Sequence, residues 1–433
     1  MLLANWRNFS PEARQFLKGA VLLELGHAFL WALQNLYVRS IGYSESEAGT
    51  LLSAAALGVV VTTIPAASLY DRLGARRSLT MAAIGASVAL VGLACSESFP
   101  WLMVFAVLQG SSFTLHRVIA APFIVKASKV GQRTQLFGAE FATHTIASTF
   151  GLAAAGWLAG NLQQASIPET DALRWALILG GLCSGFSVLC YRRLPDEPGR
   201  DSTQDSQAGD GQQPGKSRGT FAILAPRHWH LWWKLSLPHL VVGLGAGLTI
   251  PFINYYFTDR FDLPKQYLGL VMAASQVTMT FGVLATPALV KRIGLVKATL
   301  LTEALSLPFF LILAVTASFP IAVVAFVMRA ALMNLSHPLW RNLMMEITPD
   351  QWRAAVNGVS MLAWNLGWAM SNHWGGELIE RSAGWIGDFD GFALPMFITL
   401  TLYVLAIALE AFFFWDKRHI GTAAHAAQAV HET

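Results

Sequence analysis

Apolar residues do not alternate along this chain. They come in runs of about 20, the length that crosses a bilayer core as a helix. The runs predict twelve spanning helices, at about 16–38, 48–70, 78–96, 101–125, 136–160, 173–193, 232–258, 266–290, 297–317, 321–346, 354–380 and 392–415. Short charged turns separate most of them. One separator is long: 194–231 is rich in Gln, Ser, Asp and Gly, too polar to bury a core, and predicts a linker between two halves. The pattern predicts an N-terminal six-helix bundle (1–193), a cytoplasmic linker (194–231), a C-terminal bundle (232–415) and a cytoplasmic tail (416–433).

The two halves repeat. Asp71-Arg72-Leu73-Gly74-Ala75-Arg76-Arg77 joins spans two and three, and Lys291-Arg292-Ile293-Gly294-Leu295-Val296-Lys297 joins spans eight and nine. Arg72 matches Arg292, Gly74 matches Gly294 and Arg77 matches Lys297. Gly49 and Ala54 match Gly269 and Ala274, and Phe105 and His116 match Phe326 and His337. Two equal halves with a shared basic loop signify a duplicated membrane protein.

Composition agrees. Only 13% of the 433 residues are charged and 54% are hydrophobic, with a mean hydropathy of +0.47. A soluble domain carries about 25% charged residues. Most lysines and arginines fall on one side of the predicted membrane, whereas Arg39, Arg174, Arg260, Lys265 and Arg381 fall on the other. The positive-inside rule then puts both termini in the cytoplasm. Basic membrane loops account for the net charge of +4 without a nucleic acid. The three cysteines lie in or beside apolar runs, with no disulfide or metal spacing. No metal or cofactor is expected. No nucleophile–base pair or phosphate loop points to an enzyme.

At the 65–79 loop the chain resembles the major facilitator superfamily, and the likeness in layout covers nearly the whole chain. The family's loop runs roughly G-x-L-A-D-R-x-G-R-R. Here Asp71-Arg72-Leu73-Gly74 keeps its centre and Arg76 and Arg77 follow, while Ala67 and Ala75 replace a glycine and an arginine. The resemblance implies an all-α membrane fold of two pseudo-symmetric six-helix bundles, and a cytoplasmic gate at Asp71, Arg72, Gly74, Arg76, Arg292 and Gly294. Plain topology anchoring is the other role open to these charges. Drug/proton antiporters of the family often carry an arginine three residues before Gln-Gly in span four and a Gly-Pro pair in span five. Here Ala106 precedes Gln109-Gly110, and span five has no proline.

Ionisable groups inside spans are expensive in hydrocarbon and so mark candidate sites. Glu24, His27, Trp31 and Gln34 share one stripe of span one, beside Asn35. Glu140 and His144 share a face of span five, and His116 and Arg117 sit in span four. Glu24, His27, Glu140 and His144 are the candidate proton carriers, because coupling needs a group whose charge follows its exposure. A satisfied core carboxylate is the alternative for Glu24. Arg117 is open to pairing with Glu24 or Glu140, or to an anionic solute. His116 and His337 match in the repeat, which suggests a common structural or cavity role. The remaining cavity candidates are Asn254, Tyr255, Gln276, Arg329, Asn334, Trp364, Asn365, Trp368 and Asn372. Amides alternating with indoles both stack and hydrogen-bond a solute.

The expected function is alternating-access transport of a small polar or anionic solute, proton-coupled and inward, by a monomer in a bacterial inner membrane. Proton-driven export of amphipathic compounds is the alternative. A lipid-handling or sensing protein on the same fold is the second.

Overall fold

The computed structural model describes residues 9–128, 132–196, 229–349, 352–385 and 391–417. The expected linker and the tail beyond 417 lie outside the described residues. The described chain is helical, and twelve helices follow the twelve apolar runs. They are α1 (Pro11–Ser40), α2 (45–73), α3 (75–95), α4 (Phe99–Ala127), α5 (Arg133–Gln164) and α6 (Glu169–Tyr191) in the first half. The second half has α7, broken by a 3-10 turn into α7a (Trp229–Thr249) and α7b (Ile253–Phe261), then α8 (Lys265–Ile293), α9 (Leu295–Val315), α10 (Phe319–Ile347), α11 (Arg353–Ser382) and α12 (Ala393–Phe414).

Local sequence sets the ends. Ser10 accepts from the Ala13 amide and Pro11 opens α1. Ser44 and Glu47 form a reciprocal capping box on α2. The duplication shows in the caps, since Ser98-Phe99-Pro100 starts α4 and Ser318-Phe319-Pro320 starts α10. It shows again at the loop glycines. Gly74 (φ 75°, ψ 173°) and Gly294 (φ 84°, ψ 166°) take one backbone conformation, a region essentially closed to any residue with a Cβ.

The halves meet along two related seams, α2 on α11 and α5 on α8. Both are built on matched glycines. Gly49 lies against the Asn372 carbonyl and Gly376 against the Glu45 carbonyl, while Gly269 lies against Leu152 and Gly156 against Lys265. A Cβ at any of the four would strike backbone, so the helices approach closely only because these positions are bare.

The seams close one end of the bundle only. There a single apolar core runs through both halves and includes Leu36, Tyr37, Ala155, Tyr255 and Leu268. At the end bearing Gly74 and Gly294 the core is split. One cluster (Phe16, Tyr70, Leu136, Tyr191) belongs wholly to the first half and another (Trp232, Leu295, Leu343, Phe414) wholly to the second. No extensive packing joins α4 or α5 to α10 or α11 among the described residues. The halves therefore diverge towards the 71–77 loop and leave a central space open at that end.

Candidate functional site

Residues from α1, α4 and α5 converge on this space near mid-membrane. Glu24 is buried, at 6% exposure. Its Oε2 stands 3.1 Å from Nε2 of His144, whose side chain is 42% exposed. One turn along α1, His27 lies flat on Phe113, with ring centroids 3.9 Å apart, and its Nδ1 is 3.2 Å from Nε2 of Gln109. Arg117 also lies over this ring, its guanidinium carbon 5.6 Å from the Phe113 centroid. Gln109, Phe113 and Arg117 recur every four residues, on one face of α4. Glu24, Arg117 and His144 lie close enough to act on one another's charge, and each also acts on His27 and on Glu140. Glu24 thus takes His144 as its ion-pair partner, where sequence had offered Arg117. The reason is geometric: α5 packs closely on α1, whereas Arg117 is exposed on α4 above the aromatic layer.

The closed end explains another group of candidates. Asn35 Nδ2 donates to the Pro251 carbonyl at 2.6 Å and approaches Asn254 Oδ1 at 3.4 Å. Tyr255 Oη donates to the Asn35 carbonyl at 2.5 Å. Arg39 grips Asp259 with both terminal nitrogens at 2.6 Å and lies 4.2 Å over the Tyr255 ring. Asn35, Asn254 and Tyr255 therefore form the seal of the closed end and do not line the open space. Gln34 is buried beside them, with its Nε2 unpartnered. Asn372 is fully buried at the α2–α11 seam, against Gly49 and Gly247. Trp31 is 38% exposed on the Glu24 stripe.

Two matched candidates part ways. His116 sits inside the first bundle, where its Nε2 and the Tyr191 hydroxyl are 2.8 Å apart and Phe16 stacks on it. It is core. Its repeat mate His337 is exposed and meets Trp364 edge-on, with centroids 6.3 Å apart. Arg329 is likewise core, donating to the Tyr403 hydroxyl at 2.8 Å with its guanidinium 5.1 Å over Phe310. Trp364 and Trp368 pair at 5.0 Å on α11. Asn334 and Asn365 bond carbonyls of their own helices, and Gln276 is half-buried on α8.

At the loop end, Asp71, Arg72 and Arg292 are exposed, and Arg76 and Arg77 both reach Asp196 just after α6. Arg76 thus pairs within its own half in this conformation. Sequence reasoning passed over Gln109 and Phe113, although their spacing from Arg117 marks a shared face. It also passed over Glu303 on α9 and Glu410 on α12, which are 4% and 2% exposed. Each is the lone acid of its apolar run, the signal that had singled out Glu24.

Ten of the described helices are long and apolar enough to cross a membrane; α5 and α11, repeat mates that carry many of the polar site candidates, fall short of that hydropathy. Comparison with known proteins agrees with this architecture. The chain is 29% identical over 120 residues to a probable 3-phenylpropionic acid transporter of Escherichia coli (strain K12). That stretch is 28% of this chain and spans 30% of the relative's length. A bacterial homologue of the human lysosomal transporter Spinster, crystallised inward-facing and unoccupied, superposes with a TM-score of 0.75 at 16% identity, covering 94% of this chain and 98% of that one. A D-xylose–proton symporter superposes with a TM-score of 0.69 at 16% identity, covering 92% and 96%. The sequence profile of the Major Facilitator Superfamily matches residues 19–372, through most of both halves. With twelve helices in two related bundles around an open central space, this chain belongs to the Major Facilitator Superfamily of membrane transporters.

Proposed function

We propose that the protein carries a small organic anion into the cell together with a proton, by alternating access. The observation that carries this is the Glu24–His144 ion pair beside Arg117. Arg117 offers a permanent cation to the central space, over an aromatic ring. Glu24–His144 is neutral as a pair. A proton taken by Glu24 removes its charge and frees His144, the more accessible partner, as a second cation. The site then holds an anion more strongly, and linkage makes the converse true: a bound anion favours the proton. Anion and proton therefore load together.

The aromatic faces of Phe113, Trp364 and Trp368 suit a carboxylate with an apolar or aromatic body, the class that the name of the Escherichia coli relative describes. With the termini in the cytoplasm, the open end faces inward, and the Arg39–Asp259 clamp closes the outer side. The protein acts as a monomer in a bacterial inner membrane.

The test is a thermal-shift screen of the purified protein against small organic anions, neutral polar solutes and lipophilic cations. A ligand of the folded state raises its melting point by mass action. Stabilisation by anions that is lost in Arg117→Ala is expected. Stabilisation by lipophilic cations, unchanged in that variant, would overturn the assignment in favour of export.

A further inference from the structure

A second cluster of titratable groups lies inside the C-terminal bundle, away from the Glu24 site. Glu303 of α9 and Glu410 of α12 meet side chain to side chain within hydrogen-bonding reach, and Ser336 of α10 adjoins Glu303. A carboxylate only accepts hydrogen bonds. Two carboxyl groups that bond one another must therefore hold a proton between them. Water has almost no access here, since both residues are at least nine-tenths buried.

The surroundings are incompletely satisfied. Apart from the carboxyl–carboxyl contact, no donor reaches Oε2 of Glu303 or Oε2 of Glu410, and Nδ1 of His239 and the indole nitrogens of Trp340 and Trp364 are buried without a partner. All five residues line one small cavity of about 10 Å³, about the minimum that admits one water. His337 closes the same cavity and is exposed on its other side, against Trp364. The cluster has acceptors in the carboxyls and donors in the indoles, the set a water or a proton-bearing water can satisfy. Two indole N–H groups at the wall argue against a metal cation. The other charges nearby are fixed elsewhere, because Arg329 is bonded to Tyr403.

We propose that Glu303 and Glu410, with one water bridging them to His239, form a second proton-binding site, which exchanges its proton with the central space past His337 and Trp364. On leaving, the proton passes from the carboxyl pair to the water, and the pair remains as two carboxylates that can no longer bond each other. The loss would loosen α9 from α12, so protonation and bundle packing are linked. The link to transport rests on the proton-coupled reading above; the proton itself does not.

The experiment is infrared difference spectroscopy of the purified full-length protein between acidic and alkaline buffer. It is run for wild type, Glu303→Gln, Glu410→Gln and Asp196→Asn, the last as a surface carboxyl control. The expected result is a protonated-carboxyl C=O band that is present in acid, disappears in alkali, and is absent from both Gln variants but kept in the control. Glutamine can donate to the remaining carboxylate, so each variant keeps the bond without the proton. A band retained in both Gln variants would overturn the proposal. So would a band that never titrates, which would make the pair a fixed clasp. The wild-type spectrum alone decides between titrating and fixed should a variant fail to fold. In proteoliposomes, Glu410→Gln is expected to keep solute exchange and to lose about tenfold of pH-driven accumulation, within the range typical of coupling between two sites. Wild-type transport that ignores a pH gradient would sink the coupled reading and leave the infrared result standing.

Discussion

The clamp at the closed end gives a prediction whose size can be worked out. Arg39 and Asp259 join the first half to the second through two nitrogen–oxygen contacts of 2.6 Å. The side chains are 33% and 29% exposed, so solvent screens the pair. Exposed ion pairs contribute about 0.2–1 kcal/mol, and bidentate geometry puts this one at the top of that range. Replacing Asp259 with Asn removes the charge and keeps the shape. Arg39 retains Glu45 at 3.3 Å and the Tyr255 face, so the fold should survive. A loss of about 1 kcal/mol from the closed state alone shifts the balance between conformations about fivefold towards opening. Spin labels at the exposed positions Gln164 and Ala317, one in each half at this end, would report it as growth of a long-distance component. The same substitution in an Arg39→Gln background should add almost nothing, because the partner is already gone. Unchanged distance distributions, or equal effects in the two backgrounds, would refute the clamp.

Three further outcomes follow from the geometry. His144→Ala strands a buried carboxylate and should cost about 2–3 kcal/mol, lowered from the fully buried case by the exposure of His144, whereas Glu24→Gln should cost about 1 kcal/mol. Thermal unfolding in detergent compares the two. Gly156→Val and Gly376→Val place side chains against the Lys265 and Glu45 carbonyls. Each should force its seam apart, seen as faster labelling of a cysteine at Ser53, which bonds across the α2–α11 seam, in Gly376→Val but not in Gly156→Val. Gly74→Ala and Gly294→Ala should each cost about 1–3 kcal/mol for the strained backbone, with matching drops in melting temperature because the two glycines share one conformation.

Much of the fold was legible in the apolar runs, because membrane-length runs and a duplicated basic loop leave few alternatives. The helices nevertheless extend beyond the runs. α1 begins at Pro11, not near residue 16, because Ser10 caps it in a polar setting that hydropathy does not register. The stripe of Glu24 and His27 was legible from helical spacing. Its partner was not, since spacing fixes the face of a helix and not which neighbour packs on it. The repeat misled at His116 and His337, where matched positions have different surroundings: Tyr191 buries the first and Trp364 only edges the second. Asn35, Asn254 and Tyr255 read as cavity polar groups because a seal between halves and a solute site use the same chemistry. Glu303 and Glu410 are far apart in sequence and meet only when α9 and α12 fold against one another.

The central claim is that an organic anion and a proton cross together through the Glu24–His144 and Arg117 site. The most direct measurement records internal pH in proteoliposomes, without an imposed gradient, after addition of an anion that stabilises the protein. Acidification that follows solute entry in wild type, and is abolished in Glu24→Gln while binding persists, is the predicted result. Solute entry with no movement of protons, or acidification undiminished in Glu24→Gln, would contradict it.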